Sequence, residues 1–163
     1  MIGDRWNVSD DEVARSYPCD EIVPRPTLQA WRGVTVHTTR DVLWPWVAQI
    51  RLAPYSYDWI DNLGRRSPQR LMGLPDPVVG ESFSTAAMRP FGRILAVEPT
   101  THLTGEIMGA CISYALVSQW QSTRLLMKIV TTTSRWLAPW LSVGDLVMAR
   151  RQLLNLKALA ERT

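Results

Sequence analysis

The stretch Val42–Gly64, VLWPWVAQIRLAPYSYDWIDNLG, concentrates aromatic side chains and two carboxylates in one short run. Thr38 or Thr39 can cap a helix beginning at Arg40, with Asp41 in the first turn, where the positive end of the helix dipole favours a carboxylate. Pro45 falls inside that helix, removes one backbone hydrogen bond and is expected to bend it between Trp44 and Trp46, turning the two indoles in different directions. A second short helix is expected from about Tyr57 to Leu63, with Gly64 as its C-terminal cap. Asp58 and Asp61 are neighbours on it, beside Asn62. Capping and dipole compensation are the commoner roles for such a pair; a weak cation or a polar ligand group held there is the alternative.

Upstream, Ser9-Asp10-Asp11-Glu12 reads as a capping box that starts a helix running to about Ser16. Pro18, Pro24 and Pro26 then argue for an extended arm through CDEIV. The segment Leu28–His37, LQAWRGVTVH, has the β-branched and aromatic content of a first strand, with Val34 and Val36 on one face. Downstream, short strands are expected at about 79–84, 92–98, 102–107, 110–118 and 124–132, paired antiparallel. QWQST links the last two, and Leu125, Met127 and Ile129 alternate toward the core. A long helix from about Leu141 to Glu161 closes the chain. Leu146, Ala149, Leu153, Leu156 and Ala160 recur on it at spacings of three and four, and its basic residues fall mostly off that strip.

With 163 residues the chain fits one domain, burying roughly two thirds of its unfolded surface. Residues 1–26 read as an arm with a short helix lying on a domain formed by residues 27–163. No apolar run approaches the ~20 residues that span a bilayer. MIGDRWNVSDDE lacks the apolar core of a secretory signal, so a cytoplasmic location without stable membrane insertion is expected. A net charge of +3 is modest. Arg65, Arg66 and Arg70 cluster, as do Arg150 and Arg151, but without the aromatic interleaving of a nucleic-acid module, so no nucleic-acid partner is expected.

The sequence carries few chemistry-bearing motifs. Cys19 and Cys111 have neither metal-ligand nor redox Cys-x-x-Cys spacing and read as reduced thiols. His37 ends a strand and His102 sits in a turn; both read as surface histidines, and no Gly-x-Ser-x-Gly motif supplies a nucleophile. No metal site, nucleotide loop or cofactor is expected.

Strand, two helices, antiparallel strands and a long final helix are the order of a helix-grip fold: an α+β architecture whose curved antiparallel sheet wraps the last helix. The chain resembles the START-like, or SRPBCC, superfamily, and within it a bacterial polyketide cyclase/dehydrase-like branch. The likeness covers nearly the whole chain. It rests on DDEVA with Asp20-Glu21-Ile22-Val23-Pro24, on Val42-Leu43-Trp44-Pro45-Trp46-Val47 with Gln49, and on Tyr55-Ser56-Tyr57-Asp58-Trp59-Ile60-Asp61-Asn62. It continues through Thr123-Arg124-Leu125 and Met148-Ala149-Arg150-Arg151 to Lys157 and Glu161. Between Arg70 and Glu98 the chain reads LMGLPDPVVGESFSTAAMRPFGRILAV in place of a glycine-rich loop, so the cavity entrance is expected to differ from that of relatives.

The resemblance implies an internal cavity that takes a small hydrophobic or aromatic molecule, lipid-, sterol- or polyketide-like. Its expected lining is Trp46, Tyr55, Tyr57, Trp59 and Tyr114, closed by Met127 and Leu153, with Tyr114 sharing an inward face with Ile112 and Leu116. A cyclase/dehydrase-type enzyme acting on such a molecule is the second reading. It would use Tyr55, Tyr57, Tyr114 or Arg124 to polarise a carbonyl or move a proton. A protein-interaction domain with a filled interior is the third, and a homodimer stays open.

Overall fold

The computed structural model describes residues 4–58, 63–132 and 138–163, with the side chains of the last helix from Val147 onward. Trp59, Asp61 and most of the helix expected over Tyr57–Leu63 lie outside the described residues, as does the side chain of Leu146.

The chain begins with β1 (Arg5–Trp6) and two short helices, α1 (Asp10–Ala14) and α2 (Pro18–Ile22). The capping box forms as the sequence predicts: the Glu12 amide donates to Ser9 Oγ at 3.2 Å and the Ser9 amide to Glu12 Oε2 at 2.9 Å. The extended arm expected through CDEIV is instead helical. Pro18 occupies the first turn, where its missing amide costs nothing, and the Asp20 carboxylate accepts from the Tyr17 amide at 2.9 Å. A proline that ends helices from within thus starts this one.

Next come β2 (Leu28–Val36), α3 (Arg40–Ala48) and a 3-10 turn over Gln49–Arg51. Thr39 takes the N-cap position of α3, with no side-chain cap bond. The two indoles flanking Pro45 do diverge: Trp44 Nε1 donates to Asp76 Oδ1 at 2.7 Å, and Trp46 Nε1 to Thr163 Oγ1 at 3.0 Å.

The strand expected at 79–84 is not formed. Gly80 at φ +95° and the Glu81 carboxylate, which accepts from the Val78 amide at 3.0 Å, make a turn there. A small ribbon follows, β3 (Ser84–Ala86) against β4 (Arg89–Phe91), around a two-residue turn with positive φ at Ala87 and Met88. The main sheet is completed by β5 (Arg93–Glu98), β6 (His102–Ile107), β7 (Ala110–Ser118) and β8 (Thr123–Thr131), in the order β1-β2-β8-β7-β6-β5. Every pairing is antiparallel except β1 with β2, which run parallel. The final helix, α4, spans Ala138–Ala160.

Both faces of the sheet are covered. On the front, Val34 and Val36 of β2, Tyr114 and Leu116 of β7, and Leu125, Met127 and Ile129 of β8 pack with Leu43, Trp46 and Val47 of α3. Ala149, Leu153, Leu156 and Ala160 of α4 join the same core. Full burial of leucines such as Leu153 and Leu156 contributes about 1.5–3 kcal/mol each. On the back, Trp31, Cys111, Leu126 and Val130 pack under Tyr17 and Cys19 of the N-terminal segment. Gly33 leaves the room this side needs: a Cβ there would lie 2.8 Å from the Arg124 guanidinium and 3.0 Å from the Asn7 carbonyl. A curved sheet gripping a long terminal helix, with short helices after the strand that opens it, is the helix-grip fold.

Candidate functional site

The interior of the grip is not completely filled. A hollow of about 310 Å³ lies between the sheet, the β3–β4 ribbon and α4. Its walls are Ile112 and Tyr114 of β7, Met127 and Ile129 of β8, Phe83, Phe91 and Ile50, with Met148 and Ala149 from the helix. Period-two alternation turns Tyr114 inward with Ile112 and Leu116, and Met127 inward beside them. Met108, at the tip of the two-residue β6–β7 turn, stands at the rim and is 93% exposed. Phe83 sets the width at one side. Its ring lies directly over Gly105, where no Cβ would fit, and faces Tyr114 with centroids 6.2 Å apart.

One end of this hollow is polar. Tyr114 donates its hydroxyl proton to Gln152 Oε1 at 2.6 Å, and Gln152 Nε2 donates to the Pro54 carbonyl at 2.7 Å. Ser56 and Ser84 also line it, with their hydroxyls donated to the Met148 carbonyl (3.0 Å) and the Ile50 carbonyl (3.0 Å). Among the described lining residues, Tyr114 is the only titratable side chain.

Tyr55 and Tyr57 belong elsewhere. They line a second hollow, about 450 Å³, with Asp58, Ser67, Arg66, Arg151, Asn155 and Arg162. The segment between the two hollows is fastened to α4: Ser56 bonds the Met148 carbonyl, Gln152 the Pro54 carbonyl, and Asn155 Nδ2 the Tyr55 carbonyl at 2.8 Å. Tyr55 sits in the left-handed region, φ +53°. Its hydroxyl is fixed by Gln49 Nε2 at 2.6 Å, and Gln49 also binds the Arg70 carbonyl and the Met72 amide. Burial raises the Tyr55 phenol above its ordinary value, partly offset by Gln49. Asp58 accepts from the Ser67 amide at 2.7 Å and the Ser67 hydroxyl at 2.5 Å, so it caps a loop.

The described residues expected to share one cavity are divided between these two hollows or lie in the core. Tyr114 and Met127 meet in the apolar hollow, with Ile112 beside them. Trp46 is buried in the core and bonded to Thr163. Leu153 is fully buried in the same core, and neither residue is among the described lining of these two hollows. Arg124 is on the back face, against Glu12, Thr35 and the Asn7 carbonyl, because it alternates with Leu125; a carbonyl in the apolar hollow is out of its reach. His102 opens β6 instead of sitting in a turn; it is half-buried, with Nε2 3.8 Å from the Glu98 carboxylate and Nδ1 buried with no partner among the described residues, and burial lowers its pKa below 6.5.

Gln152, Phe83 and Phe91 are lining residues to which the sequence alone did not point. Gln152 had a signal, since it sits three positions after Ala149 on the apolar strip of the helix. Phe83 had none, because it precedes β3 and its partner Gly105 lies on β6, 22 positions away.

No family model matches the chain, and no curated protein matches it. Several solved structures do. Protein MLL2253 from Mesorhizobium loti shares 17% identity over 83% of this chain and 98% of its own, with a TM-score of 0.54. A protein from Arthrobacter aurescens shares 10% identity over 83% and 87%, also at 0.54. DynU16, from the dynemicin biosynthetic locus, is 16% identical over 79% of this chain but only 47% of its own length, at 0.50. At such identities the likeness is one of fold: this chain has the same helix-grip architecture as these proteins.

Proposed function

We propose that this chain binds a small, mainly apolar molecule in the hollow between β7, β8 and α4. One observation carries the reading: a hollow of about 310 Å³ with aromatic and aliphatic walls and a polar end built from Tyr114 and Gln152. That volume and that ratio of apolar wall to polar anchor suit a small-molecule site. The resemblance to START-like proteins supports the same reading, as does the occurrence of the fold in a protein of the dynemicin biosynthetic locus. A flat or polycyclic ligand with one hydroxyl or carbonyl matches these walls, Tyr114 or Gln152 meeting the polar atom.

Binding is favoured over turnover by the chemistry of the lining. Its described residues include no carboxylate, histidine or cysteine, and the one phenol is already donated to Gln152. Among the described lining residues, a cyclase/dehydrase-type enzyme would have only Tyr114 for proton transfer.

Native mass spectrometry of freshly purified protein, with titration by a fluorescent apolar dye, tests the reading. A co-purifying apolar molecule, or saturable dye binding abolished by Ala149→Phe in a folded chain, is the expected result. Dye binding unchanged by Ala149→Phe and by Met127→Trp, with both variants folded, would overturn it.

A further inference from the structure

The second hollow differs in kind from the apolar one. Among its described lining residues, three arginines, Arg66, Arg151 and Arg162, stand against one carboxylate, Asp58. Asp58 is already spent on two donors from Ser67. Nearby Glu161 is also committed, accepting from Lys157 Nζ at 2.5 Å and from the His37 amide at 2.7 Å. Among the described residues, none of the three arginines has an acidic partner. Arg162 gives its Nε to the Ala158 carbonyl at 3.0 Å, which leaves the terminal fork of its guanidinium for another acceptor. The Arg151 guanidinium lies 5.8 Å from the centre of the Tyr57 ring, a contact that holds a cation in place without neutralising it.

We infer that this hollow is an anion site for a small organic phosphate, separate from the apolar hollow. Arginine forks match phosphate oxygens in pairs, and among the described lining residues the two positive charges left after Asp58 match a phosphomonoester dianion. A hollow of about 450 Å³ exceeds what a bare phosphate fills, so an organic part accompanies it. The organic part meets polar walls, Asn155 and Gln69 among them, which suits a sugar or polyol more than a hydrocarbon. The bonds from Ser56, Gln152 and Asn155 keep the two sites apart.

Isothermal titration of the full chain with glycerol 3-phosphate and with pyrophosphate, at fixed ionic strength, tests the assignment. Saturable binding of both is expected, weakened at least tenfold in Arg66→Gln and Arg151→Gln and unchanged in Arg93→Gln, which lies on β5. Arg151→Lys should recover only part of the loss, since charge returns without the fork. Citrate serves as the competing polyanion; if it binds as tightly as pyrophosphate, the phosphate assignment is overturned. Absence of binding, or equal weakening in Arg93→Gln, overturns the site itself. Ala149→Phe fills the apolar hollow and should leave phosphate binding unchanged, so failure of either reading is visible without the other.

Discussion

The two faces of the sheet are closed in different ways. The back is filled and cross-tied: Lys128 pairs with Asp20 and lies over the rings of Tyr17 and Trp31, while Arg124 bridges Glu12, Thr35 and the Asn7 carbonyl. The front is closed by one long helix that touches the sheet along a strip and leaves a hollow beside it. A side chain on the back is therefore a structural tie, whereas one on the front either supports α4 or lines the hollow. Residues one apart on β8, Arg124 and Leu125 or Met127 and Lys128, have different jobs for this reason.

The largest loss is expected at Leu153, where α4 meets the front of the sheet. Leu153→Asp places an unpaired charge at a position with no solvent exposure, and should cost about 3–5 kcal/mol or prevent folding. Circular dichroism with denaturant titration would show it; a native-like midpoint would mean that α4 does not close the front.

A smaller loss is expected at the back from Asp20→Ala, which leaves Lys128 buried without its carboxylate and removes the acceptor for the Tyr17 amide. The cost is about 2–4 kcal/mol, below that of a wholly buried pair because Asp20 keeps some solvent contact. Dye binding at the front should persist in this variant under native conditions. Loss of both together would show that the faces are not independent.

Acid titration sharpens the contrast further. Burial would raise the Glu12 carboxyl, but the Arg124 guanidinium and the Ser9 amide outweigh it and hold it below its ordinary value of 4.5. A depressed carboxyl contributes stability above the unfolded value, and that contribution fades as pH falls through the folded one. Stability should therefore drop below about pH 4.5, and Glu12→Gln should flatten that slope while costing about 1–3 kcal/mol at neutral pH. An unchanged acid slope in Glu12→Gln would remove this tie from the back face.

The smallest effect is expected from the thiols. Burial pushes the Cys111 thiol up to about 12 and raises Cys19 as well, so neither supplies thiolate near neutral pH. A colorimetric thiol reagent should find them only in denaturant. Fast reaction of the native protein would mean that the N-terminal segment does not seal the back face.

Period-two alternation in β7 and β8 and the three-four spacing of Ala149, Leu153 and Leu156 are local properties, so strands, helix and inward faces are legible in the chain itself. The Ser9–Glu12 cap is legible for the same reason. Pro18 misleads because its effect depends on which turn of a helix it enters, and 79–84 misleads because hydrophobic content says little where a glycine takes positive φ. Tyr55 and Tyr57 read as companions of Tyr114 since all three are aromatic and the chain must bridge from α3 to the sheet.

Local spacing along the chain dictates which residues turn inward and that a long helix lies across them, because backbone geometry ties side-chain direction to that spacing. It is long-range folding that lets Gln152, Asn155 and Ser56 fasten the Pro54–Ser56 segment to α4, between an apolar hollow and a basic one. Those bonds join residues about a hundred positions apart, and no local pattern encodes which distant carbonyl a glutamine or an asparagine will reach once the sheet has curved.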